Sequence, residues 1–355
     1  MKVVGILRGF PGLGRVVSGV EILHQFEKQL GAKVKLFTYL QGYEYAKDHF
    51  NTSNIASEKD ISSIGIIPVS QSGEMIIDEI EVFNPDLILI DGEPLLLVTI
   101  KLRFPKIKVI TLLNPFDVEN PHNKLSSQLF FKDCYAKADL AIVHGIWQVE
   151  KPFEFCKEFI STNTILRSEI INTKPIPCGN KIVCILGGGT VNGSDIFFEN
   201  TLNISKKAIL IANHYPDFQI EIFCSSTKIF EHISTLEGIP PNVVTHKTIK
   251  KPKEIFASAK LVIARAGRNT ISELLHLKIP SLLFATSCNI RGSEQQTNLE
   301  KVQKISNQAL LGLDIHSNVE SVLKTVNLLM NNQKNNYIWE CGNQELERFI
   351  SYHYV

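Results

Sequence analysis

The sequence lacks several things, and each absence narrows the reading. No stretch of about 20 consecutive apolar residues occurs in its 355 residues, so no membrane-spanning helix is expected. Cysteine is sparse and widely spaced: no two of Cys134, Cys156, Cys178, Cys184, Cys224, Cys288 and Cys341 are separated by only two residues. An odd count at such spacings suits neither a disulfide framework nor a zinc site, and reduced thiols in a cytosolic protein are the expectation. An excess of one charge is also missing. Lys and Arg number 37 and Asp and Glu 36, which leaves a formal charge of +1 and no global field for nucleic acid or an anionic membrane. No Asp-x-Asp pair is present to hold a metal against a diphosphate. The first apolar run, Val3 to Leu7, is too short for a signal peptide and stops at Arg8. A cytoplasmic protein with at most peripheral membrane contact is expected, with no metal, no cofactor and no nucleic-acid partner.

The chain is rich in strand and helix patterns that alternate. Its length exceeds what one core usually serves, so two domains are expected. In the first half, Val3 to Leu7, Val34 to Tyr39, Asp86 to Ile90, Val109 to Leu113 and Ala138 to Val143 read as strands. Helical periodicity covers Val16 to Leu30 and ends at Gly31. Near-continuous apolar strands separated by helices indicate a parallel sheet covered on both faces. Residues 163–180, with Pro175 and Pro177, break the pattern and read as a linker. The alternation restarts with strands at Lys181 to Leu186, Gln219 to Phe223, Val243 to Thr245, Leu261 to Ala264 and Ser281 to Phe284. The domain boundaries that follow are 1–162 and 181–335, with a terminal helix over 336–355. The fold class is α/β, two Rossmann-like doubly wound domains facing across a cleft, where open sheets of this kind bind ligands.

Each half carries a glycine turn after its first strand. Gly12-Leu13-Gly14-Arg15 precedes a helix, whose N-terminal amides suit an anion, with Arg15 as added charge. A tight turn without a ligand fits equally well, and the glycine spacing is not the dinucleotide fingerprint. Gly187 to Gly189, followed by Thr190, suggests a loop pressed against something bulky. It lacks the Gly-Lys-Ser/Thr ending of a P-loop.

The segment Ala264-Arg265-Ala266-Gly267-Arg268-Asn269-Thr270-Ile271-Ser272-Glu273 runs from a strand through a glycine turn into a helix. Two readings stay open. In one, Asn269 or Thr270 caps the helix and Glu273 completes a capping box with Thr270. In the other, the amides of Gly267 to Thr270 face a phosphate and the Glu273 carboxylate accepts hydrogen bonds from a ribose diol.

Three separated blocks carry a resemblance: Arg265 to Leu275, Lys278-Ile279-Pro280-Ser281-Leu282-Leu283, and Glu294-Gln295-Gln296-Thr297-Asn298. Together they resemble the donor-binding domain of GT-B glycosyltransferases, in the family that includes the lipid II-forming N-acetylglucosaminyltransferase. The resemblance implies an inverting, metal-independent transfer of a sugar, GlcNAc among the candidates, from a UDP-sugar to an acceptor. It implies that the turns at Gly188, Gly189, Thr190 and at Arg265, Gly267, Arg268, Asn269, Thr270 cradle the diphosphate. Glu273 would bind the ribose, Glu294, Gln295 and Gln296 the sugar side, and the Ile249 amide the base. A related nucleotide-sugar hydrolase and a non-catalytic nucleotide-binding subunit are the alternatives.

Family members often have a histidine directly after the first glycine turn, where this chain has Arg15. An arginine stays protonated and cannot act as a base. Asp117, Glu119 and His122, in Asn114-Pro115-Phe116-Asp117-Val118-Glu119-Asn120-Pro121-His122, and Glu93, in Asp91-Gly92-Glu93-Pro94, are the replacement candidates, and a solvated loop residue is the alternative reading of each. The resemblance also implies that the terminal helix over 336–355 packs back on the first domain. The apolar stretch Leu95 to Phe104, interleaved with basic residues, reads either as a crossover helix or as a membrane-touching surface suited to a lipid-linked acceptor.

Overall fold

The computed structural model describes residues 1–9, 12–55, 72–120, 123–155, 157–176, 179–187, 195–224, 226–249, 251–286, 292–331 and 336–354. The chain forms two compact units, residues 1–167 with 341–355, and residues 168–340.

The first unit runs β1 (Lys2–Leu7), α1 (Gly14–Leu30), β2 (Lys33–Thr38), α2 (Gln41–Ala46), β3 (Asn51–Asn54), α3 (Ser72–Phe83), β4 (Leu87–Asp91), α4 (Pro94–Arg103), β5 (Lys108–Leu113), α5 (Pro115–Val118), α6 (Leu125–Tyr135), β6 (Leu140–Gly145) and β7 (Glu158–Asn163). The second runs α7 (Ser168–Ile171), β8 (Lys181–Ile185), α8 (Asp195–His214), β9 (Gln219–Phe223), α9 (Thr227–Ser234), β10 (Val243–His246), α10 (Pro252–Ala257), β11 (Ala259–Arg265), α11 (Arg268–Leu277), β12 (Ser281–Ala285), α12 (Gly292–Ile305), β13 (Leu310–Asp314) and α13 (Val319–Asn331). Helix α14 (Asn343–Tyr354) returns to the first unit.

Each unit holds one parallel sheet. The orders are β3-β2-β1-β4-β5-β6-β7 and β10-β9-β8-β11-β12-β13. In both, the order reverses beside the first strand, between β1 and β4 and between β8 and β11. Ligands of doubly wound sheets bind outside the carboxyl ends of the strands at that switch point.

The sequence shows why these elements form. Strand β4 is buried along its whole length, as expected of a strand covered on both faces. Helix α1 ends where Gly31 adopts φ 58°, and its N–H bonds Glu27 O at 3.0 Å, a left-handed cap that glycine adopts without strain. Helix α4 buries Leu96, Leu97 and Ile100, as a crossover helix does, and leaves Leu95 and Leu102 exposed.

Three strands escape the sequence reading: β3, β7 and β13. All three lie at sheet edges, where one flank of the backbone is unpaired and a continuous apolar run is not needed. Strand β3 reads Asn-Thr-Ser-Asn. The terminal helix starts at Asn343, later than the periodicity suggested. The preceding Gly342 lies so close to Asn163 that a Cβ would sit 2.2 Å from its carbonyl oxygen. The Asn343 side chain bonds both the N–H and the carbonyl of Leu166 at 2.8 and 2.7 Å, and Leu346 and Ile350 join the core beneath α1. No described helix is long and apolar enough to cross a membrane.

Candidate functional site

In the first unit, charged side chains gather at the carboxyl ends of β1, β4 and β5. Arg8 follows β1, and its N–H bonds Asp91 O at 3.1 Å. Gly9 passes so close to β2 that a Cβ would lie 1.8 Å from Tyr39 O. Gly12 is half-buried, and Gly14 opens α1, whose N-cap position, Leu13, supplies no side-chain cap.

Arg15 does not point outward to an anion, as the sequence suggested. It is buried, and its Nη1 donates to Asp91 Oδ1. Its Nη2 donates to both carboxylate oxygens of Asp117 at 2.7 and 2.8 Å. Asp117 is fixed a second time by a capping box. It accepts the Asn114 N–H at 2.9 Å, while the Asn114 side chain accepts the Asp117 N–H at 2.9 Å. Burial alone would raise the Asp117 pKa. The Arg15 charge, the hydrogen bonds from Arg15 and the Asn114 N–H outweigh it and hold the carboxyl below its ordinary range. Burial likewise opposes the Arg15 charge, but Asp117 and Asp91 hold the guanidinium firmly protonated. A carboxylate held this way is a weak base.

Glu93 has a different setting. It occupies the N-cap position of α4 without capping it, and Pro94 starts the helix. Gly92, at φ 79°, turns the chain where a Cβ would meet Arg8 at 2.9 Å. The buried Glu93 carboxylate accepts a hydrogen bond from Tyr39 Oη at 3.1 Å and lies 3.8 Å from Arg8 Nε. Burial first, then the Glu93 charge, keeps the Tyr39 phenol protonated. His122 lies outside the described residues. Sequence reasoning missed Arg8, Tyr39 and Asp91 as members of this cluster. The available signal was position, since each stands at or just after the end of a strand.

In the second unit, β8, β11 and β12 are parallel neighbours, so the described residues that follow them, among them Gly187, Gly267 and Thr286, stand at the same end of the sheet. Gly187 follows β8 with φ 69°, and a Cβ on it would lie 2.8 Å from Arg265 Nη2. Gly188, Gly189 and Thr190 lie outside the described residues. Arg265, the last residue of β11, is buried with its guanidinium 4.2 Å from the centre of the Phe197 ring. It therefore links the β8 turn, the first turn of α8 and the β11 turn.

The capping-box reading of Thr270 and Glu273 does not hold. Helix α11 begins at Arg268, and its N-cap is Gly267, extended at φ −78° and ψ 139° and without a side-chain cap. Asn269 and Thr270 fall inside the first turn, too late to cap; Asn269 Oδ1 instead accepts from Arg268 Nε at 3.1 Å. Gly267 itself brings no side chain to the start of α11, and helix N-terminal amides are the groups that bind anions. A Cβ on Gly267 would meet nothing within 4 Å. Glu273 is buried one turn further along.

Helix α12 carries the third block. Glu294, Gln295 and Gln296 sit at its first turn, and α12 follows the strand next to β11. Gln295 Oε1 accepts from the Thr286 N–H and hydroxyl at 2.9 and 3.0 Å, so its carbonyl end holds the chain leaving β12. Gln296 is exposed, with Nε2 3.3 Å from Glu300. The buried Asn298 donates to Ala266 O at 3.0 Å and fixes the turn before α11, a role the sequence did not reveal. Ile249 is half-buried between β10 and α10. Among the described residues, no group of three or more His, Cys, Asp or Glu side chains is arranged to hold a metal.

Comparisons with known proteins place this geometry. Residues 182–345 match the glycosyltransferase family 28 C-terminal domain. A UDP-N-acetylglucosamine–N-acetylmuramyl-(pentapeptide) pyrophosphoryl-undecaprenol N-acetylglucosamine transferase of Lachnoclostridium phytofermentans is 36% identical over 184 residues, covering 49% of this chain and 48% of that protein. The corresponding protein of Clostridium perfringens strain SM101 is 28% identical over 155 residues, covering 44% and 40%. The chain spans between 22% and 52% of the length of such relatives. Among solved structures, Acinetobacter baumannii MurG superposes with TM-score 0.63 at 15% identity, over 99% of this chain and all of that one. The spinosyn rhamnosyltransferase SpnG gives 0.64 at 14%, over 99% and 95%. The chain therefore has the GT-B fold, and its second half is similar to the C-terminal domain of glycosyltransferase family 28.

Proposed function

We propose that the chain transfers a sugar from a nucleotide diphosphate-sugar, with UDP-N-acetylglucosamine the first candidate, to an acceptor by an inverting, metal-independent route. The observation that carries this is the glycine start of α11 close to Gly187 and the buried Arg265, at the switch point of a sheet matched by the family 28 domain. Negative charge grows on the departing diphosphate as the anomeric carbon is attacked. Fixed amide dipoles at Gly267 to Thr270 stabilise it without reorganising. In this reading Glu273 holds the ribose, Gln296 and Glu294 reach toward the sugar, the Ile249 amide meets the base, and Gln295 holds Thr286 at the end of β12.

The acceptor side follows from the first unit. Arg15 already neutralises Asp117, so Glu93 is the better proton acceptor of the two, with Tyr39 orienting its carboxylate. The exposed apolar residues Leu95 and Leu102 of α4 and Leu125, Leu129, Phe130 and Phe131 of α6 suit an acceptor carried at a membrane surface. One observation favours a second reading. With Arg15 tied to two aspartates, the turn after β1 offers no titrating group of its own, as a non-catalytic sugar-nucleotide-binding subunit would have it.

Calorimetric titration with UDP, followed by assay of UDP-N-acetylglucosamine turnover with and without lipid-linked acceptors, separates these readings. Transfer is expected, with UDP affinity clearly weakened in Glu273→Ala. Binding without turnover supports the subunit reading, release of free sugar without acceptor supports a hydrolase, and unchanged affinity in Glu273→Ala removes the ribose assignment.

A further inference from the structure

A second site lies further along α1, away from Arg15, and on the segment just after α2. His24 Nε2 and His49 Nδ1 are 3.2 Å apart. Each ring is held by an aromatic neighbour: His24 lies 4.5 Å from the Phe50 ring centre and His49 lies 4.8 Å from that of Tyr45. The far nitrogen of His24, Nδ1, faces Glu27 Oε2 at 3.4 Å. Both histidines are half-buried.

Proton placement decides what the pair offers. A carboxylate only accepts, so the contact with Glu27 favours a proton on His24 Nδ1. His24 Nε2 is then a lone pair aimed at His49, and a neutral His49 donates to it from Nδ1. If the His49 proton moves to its own Nε2, two imidazole lone pairs converge across the 3.2 Å gap. Zinc–nitrogen bonds of 2.0–2.1 Å in tetrahedral geometry place neighbouring ligand atoms about 3.3 Å apart. The observed spacing is therefore already close to the edge of a tetrahedral site. Glu27 stands where an outer carboxylate fixes the tautomer of a metal-bound histidine.

We propose that His24 and His49 form a binding site for a borderline divalent cation of the zinc, copper or nickel class, with Glu27 as the outer carboxylate. Among the described residues no third protein ligand joins them, so water completes the coordination. The ion bridges α1 to the chain leaving α2. No redox or proton-transfer step is involved beyond the tautomer shift of His49.

Zinc chloride titrated into the full-length, tag-free chain by calorimetry tests this, with thiols alkylated beforehand so that the seven cysteines do not compete. One ion per chain is expected, with a rise in Tm as binding stabilises the fold by mass action. His24→Ala and His49→Ala should each abolish it while keeping the circular dichroism spectrum. Glu27→Gln, an exposed and conservative change, should weaken affinity about tenfold or more and leave the metal-free Tm unchanged. Copper(II) bound to the unmodified pair should show nitrogen hyperfine splitting in its paramagnetic resonance spectrum. Absence of saturable zinc binding overturns the proposal, as does full retention of binding in both histidine variants or an unchanged affinity in Glu27→Gln.

Discussion

Replacing Arg15 with methionine removes a charge from between two carboxylates and keeps most of the side-chain volume. Arg15 is 9% exposed, while Asp91 and Asp117 are 1% and 18% exposed at their side chains. Breaking a buried pair by removing one partner costs about 3–5 kcal/mol, because the remaining charge is stranded. For a domain of this size each kcal/mol shifts the transition by about 2–4 °C, so a fall of roughly 6–20 °C is expected at pH 7. The pH dependence has a definite sign. In the native chain Asp117 titrates below its ordinary range. Its contribution is therefore complete above the unfolded carboxylate pKa and is lost as pH falls through the lower, folded value. In Arg15→Met, burial without the cation raises the folded pKa instead, so protonation relieves the variant first. The deficit relative to the native chain should narrow as pH drops from 7 toward 4. Urea unfolding followed by Trp147 fluorescence, in a Trp339→Phe background, reads the first unit. A loss below about 1 kcal/mol at pH 7, or a deficit independent of pH, would refute the reasoning.

Two other substitutions test neighbouring parts of the account. Asn114→Ala removes the side chain that caps α5 and should cost about 1 kcal/mol in urea unfolding, with Asp117 still paired to Arg15. Gly187→Ala places a side chain at φ 69° against Arg265. It should cost about 1–2 kcal/mol from backbone strain alone and lower UDP affinity as the β8 turn shifts; an unchanged melting temperature would show that the turn is not held by Arg265.

Much of this was legible in the sequence, for identifiable reasons. Central strands are buried on both faces and read as apolar runs, so β1, β4, β5, β8 and β11 stood out. The edge strands did not: β3 reads Asn-Thr-Ser-Asn and carries no hydrophobic signal, β7 is mostly polar, and the leucines of β13 are interrupted by Gly312. The strand–glycine–helix order pointed to the ends of β1, β8 and β11, where both candidate sites are placed, and the strand orders then put those ends beside the switch points. The side-chain pairing did not follow. Nothing near Arg15 in sequence shows that it turns inward to Asp91 and Asp117, which lie 76 and 102 residues away. The capping spacing of Thr270 and Glu273 was misleading locally, since Gly267 ends its extended stretch one residue before α11 and takes the cap position itself. Asn298 looked like part of a sugar-side block, and only the fold shows its amide on Ala266.

The central claim is that the start of α11 receives a diphosphate. Gly267→Ala tests it most directly, because the added methyl meets nothing within 4 Å and the backbone there, at φ −78°, accepts any residue. The variant should keep its melting temperature to within a few degrees. If phosphate oxygens approach the Gly267 backbone, calorimetry should show UDP affinity reduced about tenfold, which corresponds to about 1.4 kcal/mol. Native-like UDP affinity in a stably folded Gly267→Ala would contradict the account.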